Sequence, residues 1–115
     1  MKDNIIETKS FDFALDIVYL YKQLVAGHKE FVMSRQLLKS GTSIGANVRE
    51  AEFAASKSDF INKMTISLKE ANETDYWLDL LYKADYINKE AYIKCKQGIQ
   101  EILKLLVSIV KSSKQ

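Results

Sequence analysis

No proline occurs anywhere between Met1 and Gln115, and only four glycines do. A sheet protein of this size needs a turn every ten residues or so, and glycine and proline make most turns. A chain so poor in both is confined to a few long elements joined by short connections. Apolar residues recurring at intervals of three and four identify those elements as helices. Apolar side chains make up 47% of the 115 residues and charged ones 28%, enough for one core under a polar surface. The expected fold is all-α, an antiparallel up-down-up-down four-helix bundle forming a single domain over 1–115. Residues 1–9 and 112–115 read as flexible ends.

Ser10 reads as the N-cap of the first helix. Behind it, Phe11, Ala14, Leu15, Val18, Tyr21 and Val25 form one apolar stripe, and Phe13, Ile17, Leu20 and Leu24 form a second. That arc is wider than one neighbour needs. Gly27 reads as the stop. The second helix is expected from about Val32 to Ala55, and the third from about Asp59 to Lys83 behind Ser58. Ile61, Met64, Leu68, Ala71, Leu78 and Tyr82 give the third helix a heptad-like rhythm that Asp75 interrupts. Asn88 caps the fourth, lined by Ala91, Cys95, Ile99, Ile102, Leu106 and Ile109.

The second helix carries an anomaly, Ser40-Gly41-Thr42-Ser43-Ile44-Gly45-Ala46-Asn47-Val48-Arg49-Glu50. Each glycine weakens a helix interior by about 1 kcal/mol relative to alanine. Gly41 and Gly45, four apart, share a face, and a stripe of small residues there lets another backbone come close. Asn47 and Glu50 also share a face.

The chemistry classes narrow quickly. Cys95 is the only cysteine and His28 the only histidine, so a cysteine metal cluster, an internal disulfide and a Glu-x-x-His di-metal centre are all excluded. No phosphate-cradling loop or nucleophile–base pair is legible. No catalytic residue, cofactor or metal is expected. The N-terminus has no secretory apolar region, and the longest apolar runs fall far short of the roughly 20 residues that span a bilayer. A cytoplasmic protein with no membrane partner is expected. Net charge is +2, with an uneven distribution: Asn88 to Gln115 holds six lysines against two glutamates.

Two motifs give the chain a family resemblance. The first stands as Gln36, Lys39, Ser43-Ile44, Asn47-Val48 and Glu50. The second stands as Phe60-Ile61, Lys63-Met64, Ile66, Lys69-Glu70-Ala71, Glu73-Thr74 and Tyr76-Trp77-Leu78. With these, the chain from about Phe11 to Lys111 resembles the small four-helix bundle family also called the 23S rRNA intervening sequence protein, or S23-like, family. It departs at Gly45, where many members have proline, and at Ala51, where they have glycine. The resemblance implies a left-handed bundle assembling into rings of five. Some family genes lie inside insertions in the large ribosomal RNA gene. A related group, the accessory proteins of diversity-generating retroelements, has a basic surface thought to bind nucleic acid. No catalytic residues come with it.

Three sets of residues follow as expectations. Ser43, Asn47, Glu50 and Glu73 form a structural polar network. Gly41 and Gly45 mark close helix packing. Arg35, Lys39, Lys94, Lys96, Lys104, Lys111 and Lys114 are the candidates for RNA or DNA contact, although a pI near 8.6 is below the usual basic signature. Tyr76, Trp77, Tyr82, Tyr86 and Tyr92 read as core or interface before base-stacking platforms. The expected function is a non-catalytic homo-oligomeric scaffold. The alternatives are a protein adaptor with no nucleic-acid binding and a small metal- or ligand-binding bundle.

Overall fold

A computed structural model describes residues 4–115. Four helices follow one another: α1 (Ile5–His28), α2 (Met33–Ala51), α3 (Lys57–Lys83) and α4 (Lys89–Ser113). Short connections make sequence neighbours antiparallel. α1 packs on α2, α2 on α3, α3 on α4, and α4 closes back on α1, while the diagonal pairs stand further apart. The result is a rod of 44 × 23 × 21 Å with one core. Ile17, Leu24, Leu37, Ile44, Leu78, Leu81, Ile99, Ile102 and Leu106 are its largest fully buried apolar members.

Several helix ends differ from the sequence expectation, each for a local reason. α1 begins at Ile5, so residues 5–9 are not a leader; Met1 to Asp3 lie outside the described residues. Asn4 is the cap, its side chain accepting from Glu7 N at 3.2 Å. Burying Ile6 at 5% exposure draws this extra turn onto the core. Ser10 is therefore no cap: it is fully buried, its hydroxyl donating to Glu7 O.

Gly27 stays inside α1. Lys29 takes the left-handed conformation (φ 52°) after the helix, its N–H donating to Leu24 O. α2 stops at Ala51, short of Ala55. Glu52, Phe53 and Ala54 donate to the carbonyls three residues back, which tightens and ends the helix. Ser56, not Ser58, caps α3. Its hydroxyl accepts from Asp59 N at 3.0 Å, while Asp59 accepts from Ala55 N at 3.1 Å. Asn88 caps α4 as expected, accepting from Ala91 N. α4 continues through Ser112 and Ser113, which the sequence had assigned to a flexible end.

Candidate interaction surfaces

Gly41 and Gly45 face α1. A Cβ on Gly41 would stand 2.9 Å from Ile17 Cγ2, and one on Gly45 would stand 3.3 Å from Ser10 Oγ. The contact is backbone against side chain at the first and nearly backbone against backbone at the second. On the other side of α2, two hydroxyls of α3 reach across. Ser67 donates to Ile44 O at 2.9 Å, and Thr74 Oγ1 lies 2.9 Å from Ser40 Oγ; all of these side chains are buried. No buried polar side-chain atom among the described residues lacks a partner.

That pair of cross-links replaces the polar network expected of Ser43, Asn47, Glu50 and Glu73. Ser43 donates to Lys39 O and Asn47 to Ser43 O, both within α2. Glu50 is exposed and pairs with Lys63 at 2.8 Å. Glu73 accepts from Trp77 Nε1, one turn along α3. No hydrogen bond among the described residues joins Glu73 to the other three. Long polar side chains at the rim of the α2–α3 contact reach water, whereas the short hydroxyls of Ser40, Ser67 and Thr74 fit inside it.

The seven basic candidates do not share one surface. Arg35 and Lys39 are exposed on α2, diagonal to α4, which carries four of the others and is followed by Lys114. Lys94 pairs with Asp16 at 3.5 Å. Lys96 is half-buried between α3 and α4, 2.6 Å from Asp75 and 3.0 Å from Asp79. Tyr92 donates to the same Asp79 at 2.6 Å and stacks on Tyr82 with centroids 4.0 Å apart. Burial alone would push Asp79 up, but the hydrogen bonds from Tyr92 and Lys96 outweigh it and hold its carboxyl below the usual range. Lys96 is therefore spent on the fold, and it explains the Asp75 interruption in α3. Lys104, Lys111 and Lys114 remain exposed.

Two strips of apolar surface stand outside the core. On α1, Phe11, Leu15 and Tyr19 follow at four-residue intervals with 52, 41 and 57% of their surface exposed. Phe11 borders a shallow groove between α1 and α2 that Ala14, Gly45 and Ala46 also line. Phe53, 83% exposed, lines an adjoining hollow with Phe11 and Arg49, and Arg49 lies over the Phe11 ring at 5.9 Å. On α3, Tyr76 (58%) and Leu80 (36%) form the second strip. α1 and α3 occupy opposite corners, so the strips face different ways. Sequence periodicity signalled the first strip through its over-wide arc on α1.

Among the described residues no group of His, Cys, Asp and Glu side chains is clustered as a metal set. No helix among them is long and apolar enough to cross a membrane. His28 ends α1, exposed, its ring edge-on to Tyr86. Fold and surfaces together define a small antiparallel four-helix bundle whose outward features are apolar strips and a few unpaired lysines.

Within that class the family is plain. The model of the 23S rRNA-intervening sequence protein matches residues 2–108, and the chain belongs to that family. A solved structure from Bacteroides thetaiotaomicron VPI-5482, described as a protein of unknown function from the S23 ribosomal protein family, is 59% identical. The match covers 93% of this chain and 99% of that one, with a TM-score of 0.91. No protein of curated function matches the chain.

Proposed function

We propose that this chain is a non-catalytic scaffold built by association of identical copies, with five as the number that the family resemblance implies. The observation that carries the reading is the exposed strip Phe11, Leu15 and Tyr19 on α1, with Phe53 beside it. Aromatic and aliphatic side chains beside an arginine are the composition of interface anchors. A second, different strip at Tyr76 and Leu80 on the opposite corner supports a head-to-tail contact between unlike faces, the kind that closes rings. Size-exclusion chromatography with light scattering tests this. Wild type is expected to elute as a closed oligomer and Leu15→Glu as a helical monomer. A wild-type monomer at micromolar concentration overturns the proposal.

Nucleic-acid binding draws less support. Lys94 and Lys96 are paired, which leaves Lys104 and Lys111 on α4, Lys114 just past its end, and Arg35 and Lys39 across the bundle. Repetition around a ring would multiply so weak a patch. Filter binding of RNA at two salt concentrations decides it, because lysine–phosphate contacts weaken steeply with salt. Absence of binding at low salt removes this reading and leaves the scaffold intact.

A further inference from the structure

We propose that the outer face of the C-terminal half of α4 docks an acidic amphipathic helix of a client protein. Leu103 and Val107, four residues apart, are left partly exposed there, Val107 at 39%. They belong to an open groove flanked by Lys104 and Lys111, which are seven residues apart on the same face. Neither lysine joins an ion pair among the described residues, nor does Lys114 one turn beyond Val110. The other two lysines midway along α4 are already held by Asp16, Asp75 and Asp79.

An aliphatic seam with lysines at a heptad interval beside it is half of a helix pair. Its complement is a helix with an aliphatic seam flanked by carboxylates, since charges beside the seam set partner choice. A phosphate backbone fits less well. It would cover Leu103 and Val107 without burying them against anything apolar, and no aromatic side chain lines the groove for a base to stack on. The face lies on α4, whereas the strips proposed for self-association lie on α1 and α3. This inference does not depend on the number of copies.

The probe is a fluorescein-labelled peptide of about three heptads with leucine at both seam positions and glutamate at the flanking positions. Its twin carries lysine at the flanks, and a labelled oligouridylate represents nucleic acid. Anisotropy titrations use the full chain and the variants Val107→Asp and Lys104→Glu/Lys111→Glu. Wild type is expected to bind the glutamate peptide about tenfold or more tighter than either alternative, and each variant to lose about tenfold of that affinity. Both variants should keep the wild-type melting temperature; if Val107→Asp does not, the charge-reversed variant alone decides. The proposal falls if the glutamate peptide does not bind, or binds no better than its lysine twin. It falls equally if the charge-reversed variant binds undiminished, or if oligouridylate is the preferred ligand.

Discussion

Gly41 lies so close to Ile17 that a methyl group on it would stand 2.9 Å from Ile17 Cγ2 and 3.1 Å from Cγ1. Ile17 is completely buried and has no free direction in which to yield. Further along the same contact, Gly45 faces the backbone of Ser10, whose carbonyl carbon and oxygen are each 3.5 Å from where a Cβ would sit. Ser10 is small and buried for the same reason as its partner. The two helices thus come together over a glycine at two points, and α2 gives up helix propensity to let them.

Three of the four helical glycines, Gly27, Gly41 and Gly98, have different surroundings and make a graded test. Nothing lies within 4 Å of a Cβ at Gly27, whereas one at Gly98 would meet Phe13 Cδ1 at 3.1 Å. Gly27→Ala should raise stability by about 0.5–1 kcal/mol through helix propensity alone. Gly41→Ala gains the same propensity but overpacks, and should lose about 1–3 kcal/mol net. Gly98→Ala should fall between. Urea unfolding monitored by circular dichroism measures all three. A stabilised Gly41→Ala would mean that α1 and α2 separate without penalty.

The Ser40–Thr74 contact is a buried hydroxyl pair in the α2–α3 seam, beside the Ser67–Ile44 bond. Removing one hydroxyl leaves its partner short of a bond, while removing both leaves a dry contact of similar shape. Ser40→Ala and Thr74→Val should each lose about 1 kcal/mol, and the double variant should lose clearly less than their sum. Strict additivity in the denaturation data would show that the two hydroxyls act independently through their own helix carbonyls.

What could be read from the sequence was whatever depends on period. Four apolar rhythms separated by short polar links define four helices and an antiparallel order, and the glycine pair at 41 and 45 stands out because it breaks propensity inside one of them. Helix ends were less legible, because the cap signals compete locally. Ser10 is as good a cap as Asn4, and only burial of Ile6 chooses between them. Ser56 with Asp59 three residues on was a readable capping pattern that Ser58 obscured. The buried hydroxyls were not legible at all. Ser67 and Thr74 look like surface residues until their acceptors on α2 are known, and those lie 23 and 34 positions away. Asp75 was visible as an interruption, but its partner Lys96 had been read as a candidate for RNA or DNA contact.

Lys96 joins α3 to α4, and pH should report it. Burial alone would lower its pKa, but the hydrogen bonds it donates to Asp75 and Asp79 outweigh that and raise it. Tyr92 is raised first by its hydrogen bond to Asp79, while Asp79 itself is lowered. The Asp79 contribution is present above the unfolded carboxylate value of about 3.9 and lost as pH falls through its lower folded value. Those of Lys96 and Tyr92 are complete below about 10 and lost as pH rises through their raised values. Lys96→Met should cost about 1–2 kcal/mol at neutral pH, less than a fully buried pair because the group still reaches water. The deficit should shrink at both pH extremes. A deficit that ignores pH would assign the effect to packing of the lysine stem.

Cys95 offers a probe of the whole bundle rather than of any site. It is 5% exposed, and burial, helped by the nearby charge of Asp16, pushes its thiol up to about 11. At pH 8 only about one molecule in a thousand would carry a thiolate even if reagent could reach it. Alkylation of the folded protein by iodoacetamide should therefore proceed no faster than unfolding exposes the residue, and immediately in denaturant. Gly41→Ala should accelerate it and Gly27→Ala should slow it, in step with their measured stabilities. Rapid labelling of the native wild type would place Cys95 on a surface that opens locally, and α4 would then pack more loosely on α1 and α3 than its buried residues indicate.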